Sequence, residues 1–178
     1  MLQPFETHEP SRPADRYRAA DSGEPAMTAT TIRPAVLSDL PALVTLLGQT
    51  ELPMVGVADH LETFLVADGP AGVVASAGLE LYGGHALLRS VAVAPGLQGT
   101  GLGRTMIEAA LDLARVRGAE TITLLTTTAA GYFSRFGFGR IDQAGAPSAV
   151  RQSTQFNGIC PASAVAMQLI LTQKQAAS

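Results

Sequence analysis

The chain has 178 residues, of which 47% are hydrophobic, and it carries a formal net charge of -3 and one cysteine. This length supports one sizeable core, and the acidic balance argues against nucleic acid or an anionic membrane surface as a partner. A single cysteine excludes an internal disulfide and a cysteine-rich zinc site, and the three histidines are not spaced as metal ligands. We therefore predict a cytoplasmic protein without a bound metal.

The amino-terminal segment differs from the rest of the chain. Residues 1–27 hold prolines among charged residues, without periodic apolar positions or the apolar core of a secretory signal, which predicts a disordered tail. Met27 is a second candidate for the natural start. We assign one domain to residues 28–172 and a short tail to 173–178, and no run is long and apolar enough to span a membrane.

Apolar periodicity and turn signals predict the first elements. In chain order they are a strand over 30–33, a helix with its apolar stripe over 40–47, a shorter helix over 58–63, and strands over 64–67 and 73–81. Ser38 or Asp39 can cap the first helix, because a short polar side chain accepts a hydrogen bond from a free amide at a helix start. The loop over 51–57 can lie over a binding site.

A two-residue hairpin turn is predicted at Gly83-Gly84. Paired positions keep a constant sum, so the turn pairs Tyr82 with His85, Glu80 with Leu87 and Gly78 with Arg89. Glu80 and Arg89 are then diagonal neighbours on one face of the sheet, and Gly78 leaves space beside the arginine.

A glycine-rich turn follows the next strand. Apolar residues over 88–93 end at Pro95-Gly96, and a helix then runs to about Arg117 and stops at Gly118. Such a turn directs several backbone N–H groups to one place, which predicts a site for a phosphate or pyrophosphate. The spacing fits neither a Walker A loop nor a dinucleotide fingerprint.

The remaining predicted elements are a strand over 121–126, a short helix over 129–136, a strand over 138–141, a helical turn over 149–154 and a strand over 165–171. The crossover helix between the strands at 88–93 and 121–126 implies that these two strands are parallel. Cys160 is predicted to be a packed thiol, since no neighbour in sequence lowers its pKa.

The motif Gln-x-x-Gly-x-Gly at 98–103, with Val-Ala-Val before it and Gly-Phe at 137–138, resembles the GNAT superfamily of N-acetyltransferases. The resemblance covers residues 30–171. It implies an α/β (α+β) fold in which a mixed, mostly antiparallel sheet of six to seven strands has a splayed parallel central pair and is flanked by helices. It also implies transfer of an acetyl group from acetyl-CoA to an amine by direct attack in a ternary complex.

In that superfamily the amides of the turn hold the pyrophosphate of acetyl-CoA, and the preceding strand pairs with the pantetheine arm. The resemblance therefore implies these cofactor-binding residues: Val91, Ala92, Val93, Gln98, Gly99, Thr100, Gly101, Leu102, Gly103, Arg104 and Phe133. The amide of Val91 would lie nearest the thioester carbonyl and stabilise the oxyanion.

The chain departs from its superfamily at Phe133, where many members carry a tyrosine that protonates the leaving thiolate. Tyr132 lies one place earlier and points about 100° away on a helix. Phe133 would then pack beside the cofactor arm. A water, Ser90 or Tyr132 can supply the proton, or the thiolate can leave unaided.

Several side chains are candidates for the remaining chemistry. Glu80 is the first candidate for the general base, with His85 and Glu51 after it, and its alternative role is a structural ion pair with Arg89. Arg89 is a candidate clamp for an acceptor carboxylate, because a guanidinium matches a carboxylate with two hydrogen bonds.

Glu51 is also a substrate-binding candidate, and further candidates lie beyond the glycine turn. Arg151 is a candidate second cation for an anionic substrate, and its alternative role is an ordinary surface arginine. Thr126 and Thr127, with Thr128 beside them, lie at the end of a parallel strand, where ligands often bind, and their alternative role is helix capping.

Three segments carry a finer resemblance. Leu-Leu-Arg-Ser-Val-Ala-Val at 87–93, Leu-Leu-Thr-Thr-Thr-Ala at 124–129 and Cys-Pro-Ala-Ser-Ala-Val-Ala-Met at 160–167 are similar to arsenic-resistance N-acetyltransferases, and the second is also similar to N-acetylglutamate synthases. Both imply a small amino acid or an analogue as the acceptor. A homodimer is one assembly considered. A catalytically weak acyl-CoA-binding sensor is the second hypothesis, and a protein-acetylating enzyme is disfavoured by an arginine near the carbonyl.

Overall fold

The computed structural model describes residues 30–171, so the predicted tails lie outside the described residues. Within this part of the chain the strands are β1 (Thr31–Pro34), β2 (Phe64–Gly69), β3 (Gly72–Tyr82), β4 (His85–Val93), β5 (Thr121–Thr126), β6 (Gly139–Ile141) and β7 (Val165–Ile170). The α-helices are α1 (Leu40–Gln49), α2 (Leu102–Val116), α3 (Ala130–Ser134) and α4 (Ser148–Arg151).

The seven strands form one sheet in the order β1-β2-β3-β4-β5-β7-β6. The β4–β5 pair is parallel, and the other neighbours are antiparallel. The predicted mixed sheet with a parallel central pair is confirmed. The segment over 58–63 is a 3-10 helix (Ala58–Thr63), and the predicted helix over 129–136 is reduced to α3.

Helices cover both faces of the sheet. On one face α2 packs Met106, Ile107 and Ala110 against alternate residues of β2 to β5. On the other face α1 packs Leu43 and Leu47 against Phe64, Val66 and Ala92. Successive side chains of a strand point to opposite faces, so the neighbours of Leu79 and Leu88, which are Glu80 and Arg89, lie on the α1 side.

The β3–β4 hairpin has the predicted register. Tyr82 pairs with His85, Glu80 with Leu87 and Gly78 with Arg89. The prediction that Gly78 leaves space beside the arginine is wrong, because the Phe64 ring on β2 covers this glycine closely. Gly78 therefore accommodates the core.

Strand β4 contains a bulge at Ser90. Gly78 pairs with Arg89 and Ser76 with Ala92, so Ala77 faces two residues, and Ser90 has a left-handed φ of 53°. The extra residue bends the strand. The parallel pairing of β4 with β5 ends at Leu87 and Thr123, and the two strands then separate.

The start of α1 differs from the prediction. Asp39 precedes the helix but makes no capping hydrogen bond with its side chain. Its carboxylate accepts hydrogen bonds from the Arg33 guanidinium at 2.7 and 2.9 Å and from the Val36 amide at 2.8 Å. An arginine on the neighbouring strand thus takes the oxygen that a helix amide would otherwise use.

None of the helices within residues 30–171 combines the length and the apolar character that a membrane crossing requires.

Candidate functional site

A cleft of about 540 Å³ opens where β4 and β5 separate. Its wall consists of the second half of β4, the end of β5 and two loops. The lining residues are Thr50–Pro53, Leu87–Val93, Gln98, Leu124–Ala129, Phe133, Gln155, Ile159–Pro161 and Ala164. The edge of β4 beyond Leu87 has no β5 partner in the sheet, so its backbone groups are available to an extended ligand.

One end of the cleft reaches Gln98, at the start of the glycine-rich turn that leads into α2, whereas residues 99–104 are not among its lining residues. Gln98 donates from Nε2 to the Val93 carbonyl at 3.2 Å, and Thr100 donates to the Leu97 carbonyl at 2.6 Å. Gly99 and Gly101 have φ values of 78° and 90°, where glycine is favoured. The first amides of a 15-residue helix lack intrahelical partners, so this end suits an anion.

The two adjacent aromatic residues of α3 lie in different places. Phe133 is 8% exposed, lines the cleft and packs edge-to-face on Phe138. Tyr132 is 37% exposed, and its hydroxyl lies beside the first turn of α2, 3.2 Å from where a Cβ on Gly103 would be. Tyr132 is therefore not part of the described cleft wall near Val91, and its predicted role as a proton donor stays a prediction.

Glu80 belongs to a buried polar cluster below the loop that joins α1 to the 3-10 helix, which we call the 50–57 loop. Its Oε1 accepts a hydrogen bond from Arg89 Nη1 at 2.6 Å, and both side chains are almost fully buried. Its Oε2 accepts a hydrogen bond from the Tyr82 hydroxyl at 2.5 Å and lies 3.7 Å from His60 Nε2. Burial and the Glu80 carboxylate raise the pKa of Tyr82, so this hydroxyl remains a donor. The ion pair given as the alternative role of Glu80 and Arg89 is thus present.

Arg89 also holds the 50–57 loop. Its Nη2 donates to the Val55 carbonyl at 2.6 Å and to the Pro53 carbonyl at 3.3 Å, and its Nε donates to the Ser90 hydroxyl at 3.3 Å. Gly56, with a φ of 82°, passes so close that a Cβ would lie 3.0 Å from Arg89 Nη1. Arg89 lines the cleft, but each of its nitrogens already donates within the protein.

Gln155 and Cys160 line the cleft near Arg89. The Cys160 thiol donates to Gln155 Oε1 at 3.4 Å. Burial raises the pKa of Cys160, and the nearby charge of Arg89 opposes this rise only in part. We call the part of the cleft formed by Arg89, Ser90, Gln155 and Cys160 the distal end. The glycine turn follows the other end of the cleft-lining part of β4.

The other predicted residues are dispersed. Glu51 and Thr127 line the cleft, as does Thr126, whose hydroxyl accepts the Ala129 amide at 3.0 Å. This bond closes the turn before α3, whose cap residue Ala129 has no side-chain capping hydrogen bond, so the capping alternative is not confirmed for Thr126. His85 lies at the opposite end of β4, with Nδ1 2.8 Å from the Thr121 hydroxyl.

Two predicted arginines do not line the described cleft. Arg151 is exposed and donates to the Ala146 carbonyl at 3.1 Å, and Arg104 is exposed and pairs with Glu108 at 2.9 Å. Arg151 therefore lies outside the cleft, as its surface alternative predicts.

Sequence reasoning missed His60, Tyr82 and Gln155. Tyr82 carried a usable signal, because a residue two places after Glu80 on a strand shares its face. His60 approaches Glu80, and Gln155 joins the distal end of the cleft, through the packing of loops, and loop packing leaves no signal in local sequence periodicity.

Comparisons with known proteins place the chain in context. The model of the GNAT acetyltransferase domain matches residues 60–140. No curated protein sequence matches the chain significantly.

Solved structures with a similar fold cover most of the described residues. N-acetylglutamate synthase from Neisseria gonorrhoeae, complexed with coenzyme A and N-acetyl-glutamate, has a TM-score of 0.69 at 20% identity and aligns with 80% of this chain. The chain spans about a third of that protein, 35% of its length. Rv2747 from Mycobacterium tuberculosis, in complex with CoA and NLQ, has a TM-score of 0.67 at 23% identity over 80% of this chain and 99% of its own. The ribosomal-protein-S18-alanine N-acetyltransferase from Escherichia coli has a TM-score of 0.60 at 20% identity, and the alignment covers 84% of this chain and 99% of that protein. At these identities the likeness establishes the fold.

Proposed function

We propose that this chain, which carries a GNAT acetyltransferase domain, transfers the acetyl group of acetyl-CoA to the amine of a small amino acid or amino-acid analogue. The observation that carries the proposal is the cleft between the separated strands β4 and β5. It runs along an open strand edge to Gln98, at the turn that precedes the long helix α2, and it has a second, polar end where another molecule can bind.

The residues present fit coenzyme A. The free edge of β4 over Val91–Val93 can pair with the pantetheine arm as an added strand, and the first amides of α2 can hold the pyrophosphate. Gly99 and Gly101 leave open space where a side chain would project. Two of the similar structures were determined with coenzyme A, which supports this assignment.

Acetyl-CoA supplies the acetyl group as an activated thioester. The amide of Val91 is proposed to donate to the carbonyl oxygen as negative charge develops there. The amine nitrogen forms the new C–N bond, the C–S bond breaks, one amine proton passes to a base and the thiolate takes up a proton. Phe133 excludes water beside the cofactor arm but has no proton to donate.

Glu80 is proposed as the base that finally holds the amine proton. Its carboxylate is not among the described residues that line the cleft, and it is held by Arg89 and Tyr82. We therefore propose transfer through a water. A water or Ser90, which is a residue of the cleft wall, would protonate the thiolate.

Three lines of support lead to an amino-acid acceptor. The cleft lining contains Arg89 and Glu51, whose opposite charges favour a zwitterion although the nitrogens of Arg89 already donate within the protein. The Neisseria enzyme was solved with N-acetyl-glutamate and with L-arginine. The segments at 87–93 and 160–167 resemble arsenic-resistance N-acetyltransferases, which extends the proposal to amino-acid analogues and to a role in arsenic detoxification. The cytoplasmic location and the homodimer stay sequence-based predictions.

One observation favours a second function, an acyl-CoA-binding sensor. Phe133 occupies the position of the usual proton donor, and Glu80 is already bound by two neighbours. Tight binding of acetyl-CoA without turnover of any amine would support the sensor.

The test combines calorimetry with acetyl-CoA and a thiol-release assay across amino acids and analogues. Absence of acetyl-CoA binding would overturn the proposal. Gly101→Ala and Gly96→Ala are a matched pair, because an added Cβ meets no atom within 4 Å at either position, whereas only Gly101 has a left-handed φ. We expect Gly101→Ala to weaken acetyl-CoA binding about 10-fold, because the free turn relieves a strain of about 1–2 kcal/mol by leaving the conformation that directs its amides to the ligand. Gly96→Ala should leave binding unchanged.

A further inference from the structure

The side chain of Gln155 has one polar end without a partner. It is 6% exposed and lines the cleft. Its Oε1 accepts the Cys160 thiol, but its Nε2 is buried and has no hydrogen-bond partner within residues 30–171. Buried donors are nearly always paired, because an unpaired donor loses its hydrogen bonds to water and gains none in return. This amide therefore calls for a ligand.

The orientation of this amide follows from the thiol beside it. A protonated thiol is a donor, so it selects the carbonyl oxygen of Gln155 and leaves the NH₂ group pointing elsewhere. Burial keeps Cys160 protonated by raising its pKa. Cys160 is thus a positioning residue for the glutamine.

The segment that carries Gln155 is packed against the distal end. Thr154 Oγ1 lies 3.7 Å from where a Cβ on Gly56 would be, and the same point is 3.0 Å from Arg89 Nη1. From Arg89 to Val93 the strand advances about 13 Å, at roughly 3.3 Å per residue. The free amide is therefore at the distal end of the cleft, away from the glycine turn.

We propose that Gln155 determines acceptor specificity by donating from Nε2 to a carboxylate oxygen of the amine substrate. This inference rests on the proposed function. Arg89 donates from each nitrogen to other protein groups, so the acceptor needs another donor. A neutral amide is suited to this role because it leaves no unpaired charge in the cleft when the acceptor departs, and its bond to an ionised carboxylate is stronger than one to a neutral oxygen.

The first experiment measures binding and does not require turnover. Amino acids and their decarboxylated amines are titrated by calorimetry into the protein saturated with coenzyme A. Gln155→Met removes the donor at similar volume, and Gln152→Met, on the exposed carboxyl-terminal side of α4, is the matched control. We expect Gln155→Met to weaken binding of amino acids about 10- to 100-fold. Binding of the decarboxylated amines and of coenzyme A should be unchanged, and Gln152→Met should match the wild type.

A second variant tests the inference if Gln155→Met does not fold. Gln155→Glu keeps the oxygen that accepts the Cys160 thiol, and its negative charge should weaken amino-acid binding more than amine binding. Equal amino-acid affinity in the wild type and Gln155→Met, equal losses in Gln155→Met and Gln152→Met, or no amino-acid binding to the wild type would each overturn the inference. Selective loss of binding in a protein that turns over no amine would support Gln155 as the recognition residue and refute the proposed acetyl transfer.

Discussion

Replacing Arg89 with methionine tests whether its buried ion pair with Glu80 supports the cleft. The two side chains are 3% and 2% exposed, and their charged atoms are 2.6 Å apart. Arg89→Met leaves a buried carboxylate with the Tyr82 hydroxyl as its remaining hydrogen-bond donor and removes the donor to the Val55 carbonyl. Removing one partner of a buried pair costs about 3–5 kcal/mol, so we expect the free energy of unfolding to fall by about that amount.

A double variant separates the pair from the residues themselves. Glu80→Leu with Arg89→Met removes both charges, and replacing a buried pair by apolar groups is often nearly neutral. We therefore expect the double variant to be more stable than Arg89→Met alone, with a coupling free energy of about 2–3 kcal/mol in the cycle. Urea unfolding measures all four proteins, provided that the slope m is unchanged.

Arg104→Met is the control for loss of an arginine ion pair. Arg104 pairs with Glu108 on the exposed face of α2, where solvent screens the charges, so we expect little change in stability. A loss in Arg89→Met no larger than in Arg104→Met, or a coupling below about 1 kcal/mol, would refute the reasoning. The clamp hypothesis has its own readout: Arg89→Ala should raise the acceptor KM far more than the acetyl-CoA KM, and equal effects would contradict it.

Three further changes test the strained strand, the amino-terminal ion pair and the missing proton donor. Ser90→Val should lower the free energy of unfolding in urea by about 1–2 kcal/mol relative to Ser90→Gly, because a β-branched residue resists a left-handed φ. The Arg33 guanidinium holds the pKa of Asp39 below its usual range, so this contribution to stability is present above about pH 4 and is lost as the pH falls through the folded-state pKa. Asp39→Asn should flatten acid unfolding over that range, and an unchanged profile would contradict the assignment. Phe133→Tyr should raise kcat in the thiol-release assay by about 10-fold or more, and an unchanged kcat would show that proton donation does not limit turnover.

The features predicted from sequence are those that local chemistry determines. Two glycines at the hairpin tip specify the register of β3 with β4, and this register places Glu80 diagonal to Arg89. The turn before α2 and the stop at Gly118, whose φ is 79°, follow from conformations that glycine favours. Each of these depends on residues that are close in sequence, so pattern and spacing suffice.

The features that sequence missed arise from contacts between distant segments. Arg33 takes the Asp39 carboxylate away from the helix amides and also binds Asp68, 35 residues along the chain. Phe64 covers Gly78 because β2 pairs with β3 at that position. The bulge at Ser90 breaks the alternation of a strand that otherwise appears regular in sequence.

The bulge explains why the two ends of the cleft differ in predictability. Ser90 is held in its left-handed conformation by Ser76, which donates to the Ser90 carbonyl at 2.8 Å, and by Arg89, which donates to the Ser90 hydroxyl. One extra residue returns Val91 and Val93 to the α2 face while Arg89 stays on the α1 face. The same strand therefore presents its free edge to the cleft and its arginine to a buried cluster.

Two segments at the distal end of the cleft lie outside the residues that the family model matches. The glycine turn, β4 and Phe133 all lie within residues 60–140, where the family model matches. The 50–57 loop and the segment that holds Gln155 and Cys160 lie on either side of that range, and they meet beside Arg89, where Thr154 Oγ1 lies 3.7 Å from where a Cβ on Gly56 would be. Cofactor binding thus follows from a continuous strand, turn and helix. Under the proposed function, acceptor choice depends on two loops that the family model does not cover, so substitutions there should change the acceptor while coenzyme A binding stays intact.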